Sequence, residues 1–229
     1  MRNSEVTHPG PSGSKLAYFI GRLWMMVFGW DVEEPGPTVP KAVIIAAPHT
    51  SNWDLPHMLA AAFVYRIRVR WFGKHTIFQG PFGWFFDWLG GIPVDRTAPH
   101  GLVGQAADLF RDTDKLYLAV PPSGTRARRD HWKSGFYWIA HTARVPVICG
   151  YLDFGKRRAN LGYTFVPTGD VEADMDKVRE FYDGVRGKVP KLESTIVLKD
   201  EIERRDRSGL AIADSPEAAK RGDADTQTE

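Results

Sequence analysis

Short apolar runs rich in β-branched and aromatic residues alternate along this chain with segments of helical periodicity, and that alternation restricts the fold more than any other feature. Strands are predicted at Val43 to Ala46, Val69 to Phe72, Ile92 to Val94, Leu116 to Val120, Val147 to Leu152 and Gly162 to Val166. Helices are predicted at Pro56 to Tyr65, Phe82 to Leu89, Gly101 to Arg111, Gly135 to Arg144 and Glu172 to Val185. Strands joined through helices run parallel, and a parallel sheet is covered on both faces. The expected fold is therefore α/β, a single domain with a mostly parallel sheet flanked by helices. At 229 residues and 43% hydrophobic the chain suffices for one sizeable core, and no repeat or internal linker divides it.

The first predicted strand delivers a histidine and a carboxylate together, in Pro48-His49-Thr50-Ser51-Asn52-Trp53-Asp54. Open α/β sheets bind ligands in this place, outside the carboxyl ends of the strands. A neutral imidazole titrates near pH ~6.5 and can take a proton from a hydroxyl. A carboxylate on its other ring nitrogen fixes the tautomer and stabilises the imidazolium. Pro48 stops the strand, and Ser51, Asn52 and Asp54 suit the start of the following helix. Taken alone, the pair serves equally well as a helix cap beside a surface histidine.

Three further segments narrow this. Gly90-Gly91-Ile92-Pro93-Val94-Asp95-Arg96 places an arginine just after a short strand. Val120-Pro121-Pro122-Ser123-Gly124-Thr125-Arg126 follows the next helix and strand, with Trp132-Lys133-Ser134-Gly135 behind it, and Val145-Pro146-Val147-Ile148 opens another strand. In order and relative spacing these blocks resemble the glycerolipid acyltransferase family that includes 1-acylglycerol-3-phosphate acyltransferases, whose blocks read NHxSxxD, GxxxxDR, FPEGTRS and an apolar VPV. The resemblance covers Ala42 to about Pro167.

It implies that His49 is the catalytic base, Asp54 its partner, and Ser51 an organiser of the loop. Arg96 and Arg126 become contacts for the acceptor's polar head, with Gly124 and Thr125 completing the third block. Lys133 with Gly135 matches the basic residue and glycine beyond that block, Lys74 matches a lysine before the second, and Val145 and Pro146 would line the acyl chain. Ser123 stands where the family has a glutamate, which removes a charge and leaves one short hydroxyl at the acceptor site. Pro48 replaces the asparagine before the histidine, a position with no proton-transfer role. The implied reaction moves a fatty acyl group from acyl-CoA or acyl-ACP to a hydroxyl of a lysophospholipid or related polar lipid, with no acyl-enzyme and no bound cofactor. A thioester hydrolase, or a lipid-binding or membrane-scaffold protein that has lost activity, are the competing readings.

Other residues are less specific. Arg128 and Arg129 read as a solvated face, and Lys156, Arg157 and Arg158 as a candidate dock for acyl carrier protein. His57 finds no third ligand at metal spacing, so no metal site is expected. A net charge of +2 is too balanced to argue for nucleic acid. The single cysteine, Cys149, excludes an intramolecular disulfide and fits a reducing compartment.

Residues 15–32 read as an apolar helix at a membrane interface. Leu16 to Trp30 is interrupted by Arg22 and is shorter than the ~20 residues a span needs, and Trp24, Phe28 and Trp30 suit a helix lying in the surface. A second aromatic cluster, Phe78, Phe82, Trp84, Phe85, Phe86 and Trp88, exceeds what one helix face buries. The expectation is a peripheral protein on the cytoplasmic face of the membrane, with the catalytic domain over residues 40–198. Residues 1–14 read as a loose start, and 199–229, charged and nearly without aromatics, as a disordered tail.

Overall fold

A computed structural model of the chain describes residues 13–33, 35–94 and 101–208. In chain order these form α1 (Lys15–Phe28), β1 (Asp31–Val32), β2 (Lys41–Ala46), α2 (Asp54–Val64), β3 (Val69–Lys74), α3 (His75–Phe78) and α4 (Gly83–Trp88). There follow β4 (Gly91–Val94), α5 (Gly101–Asp112), β5 (Leu116–Ala119), α6 (Gly135–Ala143), β6 (Val147–Asp153), β7 (Arg158–Phe165), α7 (Val171–Tyr182), a 3₁₀ turn at Pro190–Leu192 and α8 (Lys199–Ser208). The strands make one seven-stranded sheet in the order β1-β7-β6-β2-β5-β3-β4. Every pairing is parallel except β6 with β7, a hairpin.

Alternation within β2 and β6 assigns the two faces. Val43, Ile45, Val147 and Cys149 point into the main core with Phe136, Ile139, Met175 and Val178 of α6 and α7. Ala42, Ile44 and Ile148 point the other way, against Ala62 of α2 and Ile67. Trp71 of β3 meets Phe78 and Phe86 of α3 and α4. Since Val69, two residues before Trp71, packs with Ile44, α3 and α4 share the α2 side of the sheet.

Two boundaries differ from the sequence expectation. The apolar helix does not run through residues 15–32: it ends at Phe28, because Gly29 adopts the left-handed conformation (φ 65°) and its N–H closes on the Met25 and Met26 carbonyls. The chain then enters the sheet as β1, beside β7. Ser14 caps the other end, its Oγ accepting from the Ala17 N–H at 3.0 Å. The inner face of α1, Ala17, Gly21 and Met25, is buried against α2. Gly21 is required there: a Cβ would come within 2.6 Å of the Ala60 carbonyl oxygen. The outer face of the same helix, Leu16, Phe19, Ile20, Leu23, Met26 and Val27, is 51–71% exposed. Packing and apolar exposure thus belong to opposite sides of one helix.

The second correction concerns the tail. Residues 199–208 are helix α8, not disordered chain. Composition misjudges them because their anchors are polar. Buried Glu201 accepts from the Leu198 N–H at 2.6 Å and from Arg179 at 2.9 Å, and Asp200 accepts from Trp138 Nε1 at 2.7 Å. Residues 1–12 and 209–229, and with them the rest of the predicted loose ends, lie outside the described residues.

Candidate active site

Strand β2 ends at Ala46 and α2 begins at Asp54, so His49 and Asp54 sit on one short loop at the carboxyl edge of the sheet. His49 Nδ1 lies 2.8 Å from Asp54 Oδ2. The same oxygen accepts the backbone N–H groups of Thr50 (2.9 Å) and Ser51 (3.0 Å). Three contacts on one buried carboxylate oxygen, at the first residue of α2, hold the Asp54 side chain in place and the His49 ring oriented. Asp54 is buried whereas the His49 side chain is 21% exposed, so the dyad's open end is the imidazole. With Nδ1 turned to the carboxylate, Nε2 is left as the proton acceptor.

Ser51 Oγ accepts from the Trp53 N–H at 3.2 Å within the same loop. Ser123, Gly124, Thr125 and Arg126 follow β5, the strand next to β2, and reach the same edge. The Ser123 hydroxyl donates to the Thr125 carbonyl at 2.7 Å and is thereby turned into its own loop. Gly124 stands at φ 65°, and a Cβ on it would lie 3.1 Å from Lys133 Nζ, so the missing side chain lets Lys133 fold over the loop. Arg126 lines a shallow groove with Thr50, Ser51, Asn52, Ala127 and Leu192.

Lys74, Val145 and Pro146 are not gathered here. Lys74 ends β3 on the same edge, two strands from β2, and is exposed. Arg96 falls within residues 95–100, outside the described residues. Val145 and Pro146 precede β6, at the amino edge of the sheet, whereas His49 follows β2 at the carboxyl edge. Val145 is part of the main core and the Pro146 carbonyl accepts from the Val43 N–H at 3.0 Å, so neither lines an acyl chain beside His49. The physical reason is register: a residue that opens a parallel strand is a full strand length from the end that carries the loops.

The cavity beside His49 measures about 350 Å³. One wall is Ala47, Pro48, His49, Pro122 and Ser123; the opposite wall comes from the C-terminal third, notably Arg179, Tyr182, Asp183, Arg186, Glu193 and Ile196. Sequence reasoning missed this second wall. It is fixed to the first by Val189 N–H, which donates to Thr50 Oγ1 at 3.1 Å, and by Gly187, where a Cβ would lie 2.7 Å from the same oxygen. The glycines at 184 and 187 and Pro190 announce a loop, but nothing local says where it returns. At the back, the buried Tyr182 hydroxyl donates to the Gly150 carbonyl at 2.8 Å, and burial pushes its pKa well up.

His57, one turn beyond Asp54, belongs to the support of the dyad. It accepts from Trp24 Nε1 through Nδ1 at 3.0 Å and stacks on Trp30, ring centres 4.5 Å apart. Phe28 and Phe154 meet its edges, while Lys188 lies over Trp53 and Phe154. Burial first, and the Lys188 charge second, lower the His57 pKa against the opposing pull of Asp54. A neutral His57 keeps Nδ1 free to accept from Trp24, which ties α1 to the first turns of α2. Among the described residues no group of His, Cys, Asp and Glu could hold a metal ion.

Residues 32–152, just over half the chain, match the profile of the family described as Acyltransferase. The 1-acyl-sn-glycerol-3-phosphate acyltransferase of Streptococcus pneumoniae (strain ATCC BAA-255 / R6) is 24% identical over 149 residues, covering 59% of this chain and 54% of that protein. The chain thus spans about half the length of this curated relative. The crystal structure of the 1-acyl-sn-glycerophosphate (LPA) acyltransferase PlsC from Thermotoga maritima is 19% identical with a TM-score of 0.49, covering 73% of this chain and 75% of that one.

Proposed function

The chain belongs to the acyltransferase family, and from that premise we propose that it transfers a fatty acyl group from a thioester donor, acyl-CoA or acyl-ACP, to a hydroxyl of a lysophospholipid or related polar lipid. The observation that carries the proposal is the 2.8 Å contact between His49 Nδ1 and buried Asp54, at the mouth of a cavity on the carboxyl edge of the sheet. His49 Nε2 takes the acceptor's hydroxyl proton as its oxygen attacks the thioester carbonyl. The tetrahedral adduct then expels the thiolate, which leaves with the proton from His49, and no bond to the enzyme forms. General-base catalysis supplies ~10²–10⁴-fold, and alignment of the two substrates supplies much of the remainder.

A lipid surface is the proposed partner. Exposed Leu16, Phe19, Leu23 and Met26 on α1 and exposed Phe82, Trp84 and Trp88 around α4 lie on the side of the sheet that carries α2. Trp53 and Leu55, also exposed, continue the apolar surface to the His49 loop. Exposed apolar area of this extent fits interfacial binding, with Lys15 and Arg22 toward anionic head groups. No helix among the described residues is long and apolar enough to cross a membrane. Peripheral placement on the cytoplasmic face, and the Lys156, Arg157 and Arg158 hairpin as a carrier-protein dock, complete the proposal.

Thiol release from long-chain acyl-CoA or acyl-ACP, measured with and without lysolipid acceptors and followed by lipid product analysis, tests this reading. Acceptor-dependent release with an esterified product is expected. Release independent of any acceptor would replace transfer by hydrolysis, and no release with any donor and acceptor would leave a lipid-binding protein.

A further inference from the structure

The wall opposite His49 carries charges that no sequence block assigns. Arg179 is already committed, bonded to Asp176 (2.6 Å), Glu201 (2.9 Å) and the Ile196 carbonyl (3.2 Å). Arg186 is not committed in this way. Its ion-pair partner is Glu193, at 3.7 Å, beyond hydrogen-bond reach, and the two side chains are 64% and 21% exposed. Their backbone is nonetheless fixed. The Arg186 carbonyl accepts from the Phe154 N–H at 2.8 Å, Glu193 Oε1 accepts from the Gly187 N–H at 2.8 Å, and Gly187 is packed against Pro48 and Thr50. Asp183 adds a second carboxylate to the same cavity, whereas Ser123 contributes none.

Among the described residues that line this cavity, a phosphate dianion entering alone would meet one guanidinium not already hydrogen-bonded to carboxylates, Arg186, and two carboxylates, and like charges brought together out of water repel strongly. An acceptor that carries both an anionic group and an ammonium can instead satisfy the loose pair from both ends, the anion on Arg186 and the ammonium on Glu193. A site built to bind such donors rejects analogues that lack them, because its own polar groups are then left unpaired. The cavity volume of about 350 Å³ lies within the ~300–1,000 Å³ usual for small-ligand sites. Resting on the acyltransferase reading above, we infer that Arg186 and Glu193 form a head-group subsite that selects a zwitterionic, amine-bearing lysophospholipid over a purely anionic one. Arg126 lines a different groove, with Thr50, Ser51, Asn52, Ala127 and Leu192.

The test compares lysophosphatidylethanolamine with lysophosphatidic acid as acceptors for wild type, Glu193→Gln and Arg186→Gln, with kcat/KM read separately for donor and acceptor. Gln at 193 keeps an oxygen for the Gly187 N–H, so the wall's fold is preserved while its charge is removed. Wild type is expected to favour the zwitterion. Glu193→Gln is expected to lose about tenfold in kcat/KM on the zwitterion, to change little or rise on the anionic acceptor, and to leave the donor's KM unchanged; one lost charge-assisted contact is of this size. Arg186→Gln is expected to lose on both acceptors. Equal losses on both acceptors for Glu193→Gln, or no preference in wild type, overturn the inference while leaving transfer intact. No transfer by wild type to either acceptor, or to other lysolipids, overturns the acyltransferase reading and this inference with it.

Discussion

The two walls of the cavity are held by different means. On the His49 side, a buried carboxylate gathers its donors from within five residues of itself: the His49 ring and the Thr50 and Ser51 N–H groups all reach Asp54 Oδ2. On the opposite side, Arg186 to Glu193 is fastened by contacts across more than a hundred residues of chain, through Thr50 Oγ1 and the absent side chain of Gly187. The first wall is short-range and dry, so its geometry is specified together with its chemistry. The second is long-range and wet, so its position depends on the whole fold and its charges remain available to a ligand.

The largest effects are expected where the first wall is cut. His49→Ala should abolish acyl transfer, a loss of at least ~10³-fold, with circular dichroism and thermal unfolding unchanged. Asp54→Ala should lose ~10²–10⁴-fold and also destabilise the protein by about 1–3 kcal/mol, because the Thr50 and Ser51 N–H groups lose their acceptor. Chemical denaturation alongside the assay separates the two. If His49→Ala and Asp54→Ala affected only stability, the first wall would be scaffold like the rest of the edge.

Next comes the fastening between the walls. Gly187→Val places branched carbon where Thr50 Oγ1 already stands, and should cost ~1–3 kcal/mol of stability together with about tenfold in acceptor kcat/KM, with the donor's KM retained. Gly21→Leu, which drives α1 off the Ala60 carbonyl, should cost a similar amount of stability but mainly reduce partition to lipid vesicles, read by sedimentation. An equal catalytic loss in Gly21→Leu would show that α1 controls the cavity as tightly as Gly187 does.

The smallest effect is a pH dependence. His57 has a folded-state pKa below its ordinary value of about 6.5, so the unfolded chain binds its proton more readily than the folded one. Its contribution to stability is fully present above pH ~6.5 and is lost as pH falls through the lowered value. Protonation also puts a hydrogen on Nδ1, which opposes the Trp24 donor and brings a second cation near Lys188. Urea unfolding between pH 7.5 and 5 should show this loss, and His57→Gln, which still offers Trp24 an acceptor, should flatten it.

Much of the fold was legible because hydrophobic periodicity is a local property. The β2, β3, β4, β5 and β6 strands and the α2, α4, α5, α6 and α7 helices fall within a few residues of their expected places. What periodicity misses is short or polar. Two-residue β1 is a strand only because β7 lies beside it, and α8 is ordered by buried Glu201 and by Asp200 rather than by an apolar face. Val145 and Pro146 were misplaced because a motif fixes neighbours along the chain, and these two begin a strand whose other end bears the site. For α1, the apolar count points to a helix at a membrane interface without saying which face packs on the protein; Gly21 decides that, by letting α1 approach Ala60.

By itself the sequence determined an α/β sheet and a histidine–carboxylate pair at the end of one strand, since strand, loop and helix start are set by residues within a dozen positions of one another. Only the tertiary structure decided what faces that pair. Arg186 and Glu193 stand more than 130 residues from His49, and they come to its cavity because Gly187 has no side chain to keep Thr50 away. Proton chemistry needs two groups that a tight turn can hold together. Selection of the molecule that gives up the proton needs a second surface, and a chain supplies one only by folding back on itself.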